Sequence, residues 1–137
     1  PTRRSSDLAG VAALLALLVG ALITNVCLKN FVARIRPYEV VEGLRLMIER
    51  QRDYSFPSGH TSASFAAACA LVRTLPQKWG TVCMILAGVI ALSRLYVGVH
   101  YPSDVLGGMV VGIFAGWAGW KLMQMLMLQM EKKRRSV

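Results

Sequence analysis

Residues 93–104 read Ser-Arg-Leu-Tyr-Val-Gly-Val-His-Tyr-Pro-Ser-Asp, a polar passage set between two long apolar stretches. Its skeleton is Ser93-Arg94-x5-His100-x3-Asp104. Two further clusters interrupt the same apolar background: Lys29-x6-Arg36-Pro37 and Pro57-Ser58-Gly59-His60. A charged side chain at the centre of a membrane helix costs about 2.5–3.5 kcal/mol on insertion scales. Charges in such surroundings are functional candidates, the more so when several can meet. Cations, two histidines and a carboxylate, all at the ends of predicted helices, suit the handling of phosphate.

Working outward, the composition decides the solvent. Of 137 residues, 55% are hydrophobic, and the mean hydropathy is +0.48. The length allows one domain; the composition makes lipid most of its surroundings. The net charge of +9 sits mainly at segment ends and in one loop. A nucleic-acid binder carries its basic stripe on a soluble fold, so nucleic acid is excluded as a partner. Cys27, Cys69 and Cys83 lie within apolar segments, odd in number and without metal-site spacing. They read as small buried helix residues. No metal and no cofactor is expected.

Leu8 to Leu28 is 21 residues without a charge, enough to span a bilayer. No small-residue cleavage pattern precedes Lys29, which speaks against a signal peptide. Phe56 to Val72 is a second apolar helix, followed by a polar turn at Arg73–Gly80. A third runs from Trp79 to Ser93, with an extension through Val99. Pro102, well tolerated in a first helical turn, restarts the chain. The fourth helix covers Ser103 to Gln129. The expected fold is all-α: a polytopic membrane helix bundle with four transmembrane helices.

Gly108, Gly112 and Gly116 recur at four-residue intervals, spacing that lets membrane helices approach closely within a bundle. The methionines at 123, 125, 127 and 130 read as lipid-facing or packing residues. The connection at 38–56 is too long for a simple turn, which suggests a functional role. Within it Val40, Val41, Leu44, Met47 and Ile48 recur at helical spacing, with Glu42, Arg45, Glu49 and Arg50 elsewhere on the wheel. That predicts a short amphipathic helix, lying at the membrane surface or packed on the protein. Pro1 to Leu8 (PTRRSSDL) is polar and basic, unlike the apolar run beyond it, and reads as a non-native addition. The domain proper is placed at 9–130, and 131–137 forms a basic cytoplasmic tail.

Four spans put both ends on one side and bring all three polar clusters together on the other. Seven Lys and Arg residues flank the segments on each side. Setting aside Lys29, Arg36 and Arg94 as site residues leaves four against seven, which favours a cytoplasmic tail and an external site.

A histidine nucleophile needs one free ring nitrogen, with the other hydrogen-bonded to a carboxylate that fixes the tautomer. His100 and Asp104, four apart around a helix start, can meet this need. His60, the other histidine of the chain, can protonate a departing oxygen. Phosphoryl transfer otherwise rests on positioning and charge neutralisation. Lys29, Arg36 and Arg94 can supply that, and the Ser58–Gly59 helix start offers free backbone N–H groups. Each motif alone is weak. Lys29 and Arg36 by themselves would be snorkelling anchors. Their joint occurrence on one membrane face carries the reading.

The three motifs together resemble the three-part signature of the type 2 phosphatidic acid phosphatase (PAP2) superfamily, with similarity across residues 8–125. The resemblance implies a metal-independent lipid phosphatase. His100 would form a phosphohistidine, Asp104 orient it, and His60 act as general acid. Lys29, Arg36, Ser58, Gly59 and Arg94 would bind the phosphoryl group. Integral members usually have six helices, which implies that the first two are missing. The short connections are similar to those of small bacterial undecaprenyl-diphosphate phosphatases. That implies a multi-pass protein of the bacterial inner membrane, its site facing outside, taking a lipid phosphate from the bilayer. Phosphatidate, phosphatidylglycerophosphate and lipid A are alternative substrates. A phosphotransferase and a non-catalytic lipid-binding protein are alternative classes. The related vanadium haloperoxidases are soluble, unlike this composition.

Overall fold

The computed structural model describes residues 3–44 and 46–136. Pro1 and Thr2 of the N-terminal stretch, Val137 of the tail, and Arg45 of the 40–50 wheel lie outside the described residues.

Every regular element among the described residues is helical. Helix α1 (Arg3–Ala21), rich in Ala and Leu, passes without a break through a π-helical stretch (Leu22–Leu28) into α2 (Lys29–Val32). Ala33 at φ 47° ends this rod. A single turn, α3 (Pro37–Val40), comes directly after Arg36. Beyond a long irregular stretch lie α4 (Gly59–Leu71), α5 (Gln77–Tyr96) and α6 (Pro102–Arg135).

The helix ends are written in short signals. The Ser58 hydroxyl caps α4 by accepting from Thr61 N at 3.5 Å and Thr61 Oγ1 at 3.0 Å. Pro102 sits in the first turn of α6, and the Asp104 carboxylate reaches back to Tyr101 N at 2.9 Å. Helix α5 stops at Tyr96, short of the expected Val99, because Gly98 takes the left-handed φ of +76°.

Among the described residues, three helical stretches are long and apolar enough to cross a membrane: the N-terminal rod, α5 and α6. Of the four expected spans, α4 does not reach that length on its own. Helix α4 has 13 residues, about 20 Å at 1.5 Å per residue, against a hydrocarbon core about 30 Å thick. Residues 56–58 are taken up by the turn and cap before it. Helix α4 is instead the enclosed centre of the bundle, packed on α1, α5 and α6. It still runs away from the polar end, α5 returns and α6 leaves again, so the three polar clusters do meet.

The helix expected at 40–50 is corrected. Helix α3 ends at Val40, Val41 is extended at φ −93° and ψ 109°, and Gly43 has φ +80°. Described residues between 41 and 50 are turns, bends and irregular backbone. The apolar periodicity there lost to a glycine that helices disfavour.

The core is built from small residues. Ala12, Ala16, Ala66, Ala70 and Ala115 are fully buried where α1, α4 and α6 meet. Gly108, Gly112 and Gly116 press α6 onto α4, which uses the glycine stripe within the chain and leaves that face unavailable for dimerisation. A Cβ on Gly112 would lie 2.6 Å from Ser62 O and 2.6 Å from Phe65 Cβ. We therefore expect Gly112→Val to destabilise by about 2–3 kcal/mol or more, read as a lower Tm in detergent. An unchanged Tm would show that the helices are not packed this closely.

Large apolar side chains face outward instead: Leu14, Val26, Phe31, Leu92 and Val110 are all exposed. In water such a surface would be an anomaly; against lipid it is the expected arrangement. Met123 is buried, whereas Met125 and Met130 are exposed. Cys69 is buried and Cys83 half-buried, but Cys27 is exposed, correcting its reading as a buried residue. It lies on the outward face of the π-helical stretch, beside exposed Val26.

Candidate active site

The start of α6 sets the centre of the site. Asp104 is fully buried and is surrounded by donors. Its Oδ1 accepts from Arg34 Nη1 at 2.8 Å. Its Oδ2 accepts from Tyr101 N at 2.9 Å and from the Ser55 hydroxyl, and lies 3.5 Å from His100 Nδ1. His100 is 6% exposed, on the wall of a cleft of about 320 Å³. With the carboxylate at Nδ1, Nε2 is the ring nitrogen left for a ligand.

The same cleft is lined by Lys29, Arg36, Gly59, His60 and Arg94, so six of the predicted residues share it with His100 counted. Each arrives on a different element end. Lys29 opens α2, Arg36 precedes α3, Gly59 and His60 open α4, and Arg94 lies in the last turn of α5. Asp104 and Ser58 stand behind the wall. Ser58 is fully buried; its hydroxyl caps α4, and its N–H donates to Asp104 O at 3.0 Å, joining the second motif to the third.

Sequence reasoning missed three residues. Arg34 donates to Asp104 and to Ser103 Oγ at 2.6 Å, with its guanidinium 4.0 Å from the Tyr101 ring centroid. Ser55, completely buried, is held by its N–H on Arg34 O at 2.8 Å. Asp53 binds two cations at once. Its Oδ2 pairs with Lys29 Nζ and its Oδ1 with Arg36 Nη2 at 2.6 Å. Arg36 also donates through Nε to Asp53 O at 2.9 Å and through Nη1 to Val99 O at 3.0 Å. Only position in the long 38–56 connection pointed toward Asp53 and Ser55, and Arg34 counted merely as one more loop charge.

Burial works against ionisation of Asp53, but hydrogen bonds and charges from Lys29 and Arg36 prevail and hold its carboxyl below the usual range. A carboxyl so lowered contributes stability above its unfolded value, about 3.9. That contribution is lost only as pH falls through the still lower folded value. The trio is therefore intact throughout the neutral range.

These features define a class: a multi-pass helical membrane protein whose polar end joins a buried histidine–carboxylate pair to a second histidine and three cations. The PAP2 superfamily pattern matches residues 9–128, and the chain belongs to that superfamily. It is 32% identical over 103 residues to an undecaprenyl-diphosphatase of Sulfolobus acidocaldarius, covering 75% of this chain and 50% of that protein. It is 31% identical over 99 residues to a lipid A 4'-phosphatase of Bacteroides thetaiotaomicron, covering 68% of this chain and 44% of that protein. The crystal structure of Aquifex aeolicus LpxE is similar with a TM-score of 0.77 and 28% identity, over 88% of this chain and 70% of that one. The chain thus spans about half the length of these curated relatives.

Proposed function

We propose that the protein hydrolyses the terminal phosphate of a membrane lipid through a phosphohistidine on His100. The substrate is undecaprenyl diphosphate, and the products are undecaprenyl phosphate and inorganic phosphate. The observation that carries this reading is the His100–Asp104 pair behind a cleft shared with His60 and three cations.

His100 Nε2 attacks phosphorus, and the bond from phosphorus to the bridging oxygen breaks. His60 gives its proton to that departing oxygen. Asp104 holds the Nδ1 proton and balances the charge that grows on the ring. Lys29, Arg36 and Arg94, with the N–H groups at the start of α4, neutralise the phosphoryl oxygens. A water then attacks the phosphohistidine while His60 takes its proton. The N–P bond breaks, phosphate leaves, and both histidines are restored. Ser58 supports the site as the cap of α4.

A lipid headgroup fits the surroundings. Ile48 lines the cleft and Met47 is exposed next to it in sequence, so apolar side chains border a polar pocket at the end of the bundle. The basic C-terminal end favours a cytoplasmic tail and an external site in a bacterial inner membrane. Likeness to the undecaprenyl-diphosphatase supports the diphosphate as substrate; likeness to the lipid A 4'-phosphatase supports lipid A as the second reading.

The test is phosphate release in detergent from undecaprenyl diphosphate, lipid A and phosphatidate, each with EDTA present. We expect undecaprenyl diphosphate to be turned over fastest, with no loss to EDTA. Faster release from lipid A would favour the second reading. Activity abolished by EDTA and restored by a divalent metal would contradict the mechanism. Headgroup binding without release from any substrate would point to a lipid-binding protein.

A further inference from the structure

The cations proposed to bind phosphate are already covered. The Lys29 and Arg36 side chains are 9% and 4% exposed, whereas the Asp53 side chain that joins them is 48% exposed. The cations therefore lie beneath the carboxylate, and each of its oxygens takes one of them. Asp53 lines the same cleft as His60, His100 and Arg94. A phosphoryl group in this cleft that takes Lys29 and Arg36 as partners therefore competes with this carboxylate.

We infer that Asp53 is a further residue of the phosphate site: its carboxylate is the resident counter-anion of Lys29 and Arg36, and the phosphoryl group displaces it. The inference rests on the reading of these cations as the phosphate site. Two cations withdrawn from water need a counter-charge at every stage. Asp53 supplies it while the site is empty, and the phosphoryl oxygens supply it when a ligand is bound. The carboxylate then returns as phosphate leaves, so product departs without stranding a buried pair of cations.

The backbone around Asp53 is fixed, which makes the exchange a side-chain movement. Arg36 Nε holds Asp53 O at 2.9 Å, Ser55 N donates to Arg34 O at 2.8 Å, and Tyr38 Oη donates to Gln51 O at 2.9 Å. None of these bonds involves the carboxylate. Rotation about the Asp53 side chain uncovers both cations and leaves the connection in place.

A covered site binds an anion more weakly, in proportion to the fraction of time it is uncovered. Asp53→Asn keeps the shape and removes the counter-charge. The probe is orthovanadate, titrated calorimetrically into the purified protein near neutral pH, where Asp53 is ionised. We expect Asp53→Asn to bind vanadate about tenfold more tightly or better, which corresponds to about one parent molecule in ten being uncovered. Equal or weaker binding would overturn the inference, since a carboxylate that merely positions the cations would lower affinity when removed. Arg36→Ala marks the site and should lose the binding. Vanadate retained there, or bound by neither parent nor Asp53→Asn, would refute the phosphate-site reading, and the inference with it. If Asp53→Asn unfolds, saturating inorganic phosphate should restore it. A variant still unfolded in phosphate would show that Asp53 is an indispensable strut and not an exchangeable anion.

Discussion

His100→Ala is expected to lower phosphate release by about 10⁵-fold or more, in line with removal of the nucleophile from a covalent mechanism. The cations would still bind the headgroup, but no N–P bond could form. Loss of fold would not explain the result. Asp104 would keep Arg34, Ser55 and the Tyr101 N–H as partners, so the buried carboxylate would not be stranded. Vanadate should still bind to the folded variant through Lys29, Arg36 and Arg94. Appreciable turnover in His100→Ala would remove His100 from the role of nucleophile, whatever the substrate.

Asp104→Asn is expected to lower turnover by roughly 10³–10⁴-fold. Four donors converge on the carboxylate: His100 Nδ1, the Ser55 hydroxyl, Tyr101 N and Arg34 Nη1. An amide presents one oxygen and one NH₂, so either the three donors at Oδ2 or the one at Oδ1 would face another donor. If the NH₂ group faces His100, the ring must offer its lone pair at Nδ1 and place the proton on Nε2. The attacking nitrogen would then carry a proton. If the amide turns the other way, Arg34 loses its partner and the variant is destabilised as well. The loss should fall mainly on kcat, because the cations that bind the headgroup are untouched. A near-normal kcat would show that the tautomer does not depend on Asp104.

Much of this arrangement was legible in the sequence because its signals are local. Long uncharged runs, a proline at the start of α6 and the serine before α4 announce helices and their ends. Alternating spans then bring Lys29, Arg36, His60, Arg94, His100 and Asp104 to one end. What the sequence concealed depends on tertiary choices. The 40–50 periodicity promised a helix that Gly43 interrupts, and the second apolar run was shortened when Phe56, Pro57 and Ser58 went into a turn and cap. Asp53, Ser55 and Arg34 gain their meaning only when the irregular connection folds back over α2 and α6. No spacing rule relates an aspartate in that connection to a lysine 24 residues away. The exposure of Cys27 likewise depends on which face of the π-helical stretch turns outward.

The central claim is that phosphate passes through a covalent bond to His100. Its most direct test is rapid mixing with substrate radiolabelled in the terminal phosphate, quenched in alkaline denaturant before peptide mapping. A phosphohistidine mechanism predicts a base-stable, acid-labile label on the peptide bearing His100, formed no more slowly than turnover and absent from His100→Ala. A label on another residue, or steady turnover with no label on His100 at the earliest times, would contradict it.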